Sequence, residues 1–434
     1  MTRRISRTAA LALLAVGLMS LNSRAPIVGL GPVLPDIQRD TGLSAAVVGL
    51  LAAIPVLCFG LITPAAAWLV GKIGINHAVL YFFGGLALGI VVRSYGGAAG
   101  ALVGTVVLGV AMTLVNVATP LIVGRDFPLR AALMTGVTTA AVNVGTTLAS
   151  ALTAPLAGTI GWQGSLVSWL GFVAIAAGVW FFVFPASKDG PRWSDADFPG
   201  RAAKAAARRR AELRAAQGQP GTETGPLPLV PRAKISPGNR RMMWLFTATF
   251  ALHNVGYYAM TLWLPSYLAQ TQGMTLAQAG LGASLLQLFA IAGPLLIPAL
   301  IHLFGWGEKQ LFALVAVCWL VLPAGLLVAP AAWVLWAVLG GIAQGGTFTV
   351  VFTVVIKRAR SLDENRRMTA LIQSVGYAIA STGPIVIGGL REAAGNWQAP
   401  LVFVLGALVV MAVTGFLAIR SRTTPPLASR SQRA

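Results

Sequence analysis

Carboxylates are what this chain has least of. Its 434 residues hold 12 aspartates and glutamates against 32 lysines and arginines, and charged residues of both signs reach only 10%. A soluble domain averages about 25%, so a soluble core is excluded. None of the acidic residues falls inside a long apolar run. There are two cysteines, Cys58 and Cys318, each within a separate apolar stretch without metal-ligand or redox spacing, and three scattered histidines. No nucleophile–base constellation and no phosphate-cradling glycine loop is present. The expectation is therefore a protein without cofactor or metal, not an enzyme and not an ATP-driven pump.

What the chain does have is apolar length: 56% of residues are hydrophobic and the mean hydropathy is +0.76. A membrane-spanning helix needs about 20 predominantly apolar residues. Twelve stretches qualify, at 9–35, 45–70, 77–94, 98–123, 131–157, 163–185, 243–268, 277–303, 310–328, 331–356, 368–390 and 397–419. The start, with Arg3 and Arg4 ahead of an apolar run, imitates a secretory signal, but the run continues past Arg24 to Pro35, which is long enough to span. The reading is an uncleaved first helix of an all-α, multi-pass protein of the plasma (cytoplasmic) membrane.

Basic residues set the orientation. With the N-terminus in the cytoplasm, inner segments hold 28 lysines and arginines and outer ends three, Arg39, Arg93 and Arg391. Both termini are thus expected inside. This bias accounts for the net charge of +20 without nucleic acid as a partner. The domain plan is a six-helix bundle over 1–185, a proline-rich cytoplasmic linker over 186–242, a second bundle over 243–420 and a tail over 421–434. Within the linker, Arg201 to Ala216 is alanine-rich and basic; a disordered linker or a short helix on the anionic inner leaflet both fit it.

The two halves repeat. Leu34-Pro35 recurs as Leu264-Pro265, Gly42-Leu43-Ser44 as Gly273-Met274-Thr275, Gly74 as Gly305, Gly109-Val110-Ala111 as Gly341-Ile342-Ala343, and Gly161-Trp162 approximately as Asn396-Trp397. A parallel repeat of two bundles is the plan of alternating-access carriers, which bind substrate near the bilayer midplane between the halves.

Polar side chains at that depth are few and therefore informative. Arg24 lies inside the first apolar run, where a charge costs at least ~2.5 kcal/mol. Without an embedded acid to pair with it, its expected partner is an anionic solute, which the planar guanidinium fork suits. The alternative is an arginine held by carbonyls at a helix break. Asn22 sits nearby on another helix face. The repeat offset sets Asn254 opposite Arg24, with His253, Tyr257 and Tyr258 on the same helix. Gln287, Gln344, Gln373 and Tyr377 complete the candidate substrate-binding set, each with interhelical hydrogen bonding as the alternative. His253 is the candidate for carrying a proton, or else a neutral packed histidine.

Several strings together resemble a known family. They are Arg24-Ala25-Pro26 with Gly31-Pro32-Val33-Leu34-Pro35, Ile54 to Gly60, Arg125-Asp126-Phe127-Pro128, Leu133 to Gly136, Trp263-Leu264-Pro265, Gly345-Gly346, and Gln373 to Tyr377 with Gly383-Pro384. The chain resembles the major facilitator superfamily, and within it the cyanate permease and nitroimidazole transporter group. The resemblance implies the twelve-helix facilitator fold and transport of a cyanate-like anion or small nitro-heterocycle, the protein acting as a monomer. It departs from the superfamily pattern between the second and third helices, where only Lys72 and Gly74 of the usual charged signature remain. The functional expectation is a secondary or facilitative transporter of a small anionic or polar solute. Efflux of drug-like or nitro-heterocyclic compounds is the alternative, and a non-transporting membrane sensor a remote one.

Overall fold

A computed structural model describes residues 7–127, 131–184, 235–359 and 362–421. The expected basic helix at Arg201–Ala216 and nearly all of the expected linker lie outside the described residues.

Among the described residues the chain is helical, with no strand. The first half comprises α1 (Arg7–Asn22), α2 (Ala25–Val28), α3 (Leu34–Thr41), α4 (Ala45–Leu61), α5 (Thr63–Ile73), α6 (Ile75–Tyr95), α7 (Gly97–Asp126), α8 (Ala131–Ser168) and α9 (Leu170–Val183). The second comprises α10 (Pro237–Gln272), α11 (Leu276–Phe289), α12 (Ala292–Phe304), α13 (Glu308–Val328), α14 (Trp333–Arg358), α15 (Leu362–Ala380), α16 (Thr382–Ala394) and α17 (Gln398–Arg420).

Nine helical stretches of the described residues are long and apolar enough to cross a membrane, and α4 with α5, bent by 65°, makes a tenth. One of the nine, Met134–Val183, runs for 50 residues and breaks at Gly161 (φ 74°), so it holds two of the expected spans. The span still to be accounted for is α10. Its 36 residues have ample length but a low mean apolarity, because it carries Asn239, Arg240, Arg241, Gln270 and Gln272 at its ends and His253 and Asn254 within. It can be that polar because it lacks a lipid-facing stripe: every position from His253 to Leu268 is buried, on all faces. It also begins at Pro237, inside the stretch expected to be linker. Proline at the first helical position needs no N–H partner, and Asn239, Met242 and Met243 are already buried.

The first span differs most from its expectation. One continuous helix over 9–35 is replaced by α1, a break at Ser23–Arg24, the single turn α2, a 3-10 turn at Gly31–Val33, and α3. Pro26, Pro32 and Pro35 explain the pieces. Each lacks an N–H and crowds the carbonyl four residues back. Before the break, side chains take over backbone duties: Asn22 Nδ2 donates to the Leu18 carbonyl (2.8 Å) and Ser23 Oγ to that of Ser20 (2.7 Å).

The repeat is visible in turns and ties alike. Positive-φ glycines recur in register: Gly42 and Gly273, Gly74 and Gly305, Gly161 and Gly395. A residue with a side chain adopts this conformation at a cost, so these turns keep glycine in both halves. Ser44 caps α4 and Thr275 caps α11. The Trp162 indole donates to Asp40 (2.6 Å) and the Trp397 indole to Gln270 (2.9 Å). Arg125 donates to Asn76 (2.9 Å) and pairs with Asp126, while Arg358 pairs with Glu308. Thus the degraded signature loop still ends in a tie, with the carboxylate supplied by α7 instead.

Between the halves, backbones approach most closely towards one end, and again near the α4–α5 bend, where a Cβ on Gly60 would lie 2.8 Å from the Ser374 carbonyl oxygen. A Cβ on Gly49 would lie 2.6 Å from the Pro384 carbonyl oxygen, one on Gly31 would lie 2.9 Å from that of Leu262, and one on Gly388 would collide with that of Ala45. Ser150 Oγ donates across to the Gly280 carbonyl (3.1 Å). The ties just described at the opposite end, Arg125–Asp126 and Arg358–Glu308, run within each half. The halves are therefore clamped at the end that the charge bias assigns to the exterior.

Candidate functional site

The break in the first span sets Arg24 at the junction of the halves. Its backbone (φ −134°, ψ −13°) leaves the helix just before α2, so its side chain departs from a kink and not from a helix face. The guanidinium carbon lies 5.0 Å from the centroid of Phe59 on α4 and 5.7 Å from that of Tyr377 on α15. One terminal nitrogen donates to the Tyr258 hydroxyl of α10, and the other to the Tyr377 hydroxyl at 3.4 Å. Among the described residues no carboxylate pairs with Arg24. The charge is held by ring faces, which attract cations electrostatically, and by neutral hydroxyls from the other half.

A second layer backs these tyrosines. The Tyr257 ring lies 4.9 Å from that of Tyr258, and its hydroxyl donates to Gln287 Oε1 at 3.3 Å. Gln287 Nε2 donates in turn to Thr261 Oγ1 (3.0 Å). This chain ties α10 to α11. Tyr377 is packed edge-on by Phe59 (5.7 Å) and Phe250 (5.2 Å). Gln373 lies one helical turn before Tyr377 and is partly exposed.

Among the described residues the remaining candidates make no hydrogen bond to Arg24. Asn22 serves its own helix through the Leu18 carbonyl. Asn254 Nδ2 donates to the Phe250 carbonyl (2.8 Å), also within its own helix. His253 turns into its own bundle, 5.7 Å from the Trp319 ring, and its Nδ1 has no hydrogen-bond partner. Gln344 Oε1 is likewise buried without one. On α10, the group that meets Arg24 is therefore Tyr258, one turn beyond the residue that the repeat offset selects. Among the described residues no carbonyl accepts from the Arg24 guanidinium, although a helix break does present it.

Two residues that no sequence signal singles out belong to this neighbourhood. Phe59 is one more aromatic in an apolar run, and nothing in its spacing marks the face that meets Arg24. Arg93, expected at an outer helix end, is 3% exposed and donates to the Pro26 carbonyl at 2.7 Å.

The layering predicts different effects for adjacent tyrosines. Tyr258→Phe and Tyr377→Phe each remove a hydroxyl that touches the guanidinium, and about a 10- to 100-fold change in apparent KM is expected, the scale of one hydrogen bond to a charged group. Tyr257→Phe is expected to leave KM within about twofold and to lower thermal stability by ~1 kcal/mol through Gln287. Initial-rate kinetics and melting curves on the three variants check this.

A fold of two pseudo-symmetric six-helix halves finds its counterpart among known proteins. The model of the Major Facilitator Superfamily matches residues 10–361. The chain belongs to this superfamily. It is a multi-pass membrane transporter. Over 400 residues it is 30% identical to the 2-nitroimidazole transporter of Escherichia coli (strain K12), covering 92% of this chain and 93% of that one. Over 407 residues it is 26% identical to the cyanate transport protein CynX of the same organism, covering 92% and 95%. Among solved structures, a bacterial homolog of the human lysosomal transporter Spinster superposes with a TM-score of 0.70 at 15% identity, covering 97% of this chain and 99% of that one. That likeness speaks for the fold.

Proposed function

We propose that the transporter carries a small anionic or strongly polar planar solute across the plasma membrane by alternating access, as a monomer with both termini in the cytoplasm. The observation that carries this reading is the environment of Arg24: a guanidinium at the junction of the halves, met from the other half by neutral tyrosine hydroxyls. A bound anion supplies the charge complement that the described residues do not. The guanidinium fork matches any planar end with two oxygens or a compact anion. Carboxylate and nitro groups have the first, cyanate is the second, and the relatives named for cyanate and 2-nitroimidazole fall within this chemistry. Substrate exchange or facilitated passage fits better than proton coupling through His253, which faces Trp319 away from Arg24. The rings of Phe59, Tyr258 and Tyr377 favour a second reading, passage of a flat neutral nitro-heterocycle, in either direction.

The test is counterflow in proteoliposomes with radiolabelled cyanate, a panel of small carboxylates and 2-nitroimidazole. Saturable cyanate or carboxylate exchange is the expected result. Exchange of 2-nitroimidazole alone moves the assignment to the second reading, and exchange of none of them overturns both.

A further inference from the structure

Arg93 is a buried arginine of the first half, and the transport reading gives it no role. It lies near the end of α6, 3% exposed, with Nε unpartnered. A buried charge of this kind is costly and in membrane proteins usually marks function. Among the described residues its one hydrogen bond goes to the Pro26 carbonyl at 2.7 Å, two residues from Arg24.

That carbonyl is available because the chain changes its hydrogen-bond step there. Gly29 donates to Ala25 (2.9 Å), but Leu30 donates to Ile27 (3.3 Å) and not to Pro26. The Arg24 carbonyl accepts from Ile27 and Val28, so Arg24 is the first link of the same turn. A four-residue helix does not hold itself, since a helical nucleus is unfavourable until several turns follow. Something outside must fix it. Arg93 stands on a firm base from which to do so. A Cβ on Gly104 would collide with the Arg93 backbone nitrogen, and one on Gly89 would lie 2.9 Å from the Gly104 carbonyl oxygen. At Arg93, α6 and α7 are therefore in backbone contact.

We infer that Arg93 is a positioning residue for transport: by capping the free Pro26 carbonyl it fixes the turn Ala25–Val28 and so aims the Arg24 guanidinium. This rests on the reading of Arg24 as the substrate contact. The tie stays within the first half, whereas the tyrosines that meet Arg24 belong to the second. When the halves rock apart, Tyr258 and Tyr377 withdraw and Arg93 remains, keeping Arg24 aimed for either side.

Two measurements on the full-length transporter test it. In proteoliposomes, with labelled cyanate or 2-nitroimidazole, whichever the wild type carries, Arg93→Gln is expected to raise KM about tenfold, the equivalent of ~1.4 kcal/mol. Vmax per folded transporter should stay within about threefold. Arg93→Lys, which keeps one charged donor, is expected to raise KM by about threefold. A purely structural role lowers the amount of folded protein and leaves KM alone. Wild-type KM in Arg93→Gln or, should that variant fail to fold, in Arg93→Lys overturns the proposal.

The second measurement does not depend on substrate. Amide exchange across Ala25–Leu30 should speed up by about tenfold in the variant, with α6 and α7 unchanged. Unchanged exchange there overturns the proposal as well. Wild-type transport in Arg24→Ala overturns the Arg24 reading instead, and the exchange result still reports whether Arg93 holds the turn.

Discussion

Replacing Arg24 by alanine should remove saturable uptake, lowering kcat/KM by two orders of magnitude or more. Each hydrogen bond to a charged group is worth ~1.5–3 kcal/mol, and a planar two-oxygen or anionic substrate engages two donors of the fork at once. Losing both corresponds to about 10²- to 10³-fold or more. Arg24→Lys keeps the charge without the fork and is expected to fall between, losing about 10- to 100-fold. Stability should move the other way. The wild type keeps a cation between the halves without a carboxylate, held by Phe59, Tyr258 and Tyr377. Removing that charge relieves a desolvation cost, while the two hydroxyls lose a weak partner. The melting temperature of Arg24→Ala should therefore equal or exceed that of the wild type. Counterflow and a melting curve on the same preparation check both halves of this expectation. Wild-type kinetics in Arg24→Ala would take the residue out of the transport cycle.

A wedge at Gly49 should stop transport by another route, without touching the site. A Cβ there meets the Pro384 carbonyl oxygen at 2.6 Å and the Ile385 Cα at 2.9 Å. Both are backbone atoms of α16, and neither can swing aside as a side-chain tip does. The same Pro384 carbonyl accepts the Trp263 indole N–H at 3.0 Å, so α16 is also pinned from α10. Gly49→Val sets three carbons where the halves close. Overpacking of this kind costs ~1–3 kcal/mol. The cost falls on the clamped state alone, which shifts its population by about 5- to 150-fold. Uptake should drop by at least about fivefold while each bundle keeps its own packing. Ser150 faces Gly280 across the same junction, and Ser150→Cys reads the shift directly in a background with Cys58 and Cys318 replaced by alanine. An impermeant maleimide applied from the face opposite the termini should label the introduced thiol faster in Gly49→Val than with Gly49 intact. Equal labelling together with normal uptake would show that this junction does not gate. Gly49→Ala should give an intermediate effect.

How much of this was legible beforehand differs from element to element. The spans were, because a bilayer leaves a backbone few ways to satisfy its N–H and C=O groups, and about 20 apolar residues in a row meet that demand. The repeat was legible where it is carried by turns, since a positive φ keeps glycine at Gly42 and Gly273, and at Gly74 and Gly305. Where it is carried by side chains it misleads by small amounts. The offset sets Asn254 opposite Arg24, yet a rotation of one helical turn brings in Tyr258 while Asn254 bonds to its own backbone.

Burial was the least legible property. Arg93 reads as a polar end because a span stops beside it, and only the packing of α6 on α7 and on the broken first helix encloses it. In α10, polarity lowers the apparent tendency to span, and the same polarity is tolerated because other helices surround it on every side.

By itself, then, the sequence determined an all-helical, multi-pass, internally repeated transporter and an arginine inside the first span with no embedded acid to meet it. These follow from composition and period, which are local properties. Tertiary structure decided which groups complete the site. Tyr258 lies 234 residues from Arg24 and Tyr377 lies 353 away. At such separations no periodicity connects the partners, and only the docking of one half against the other brings their side chains together.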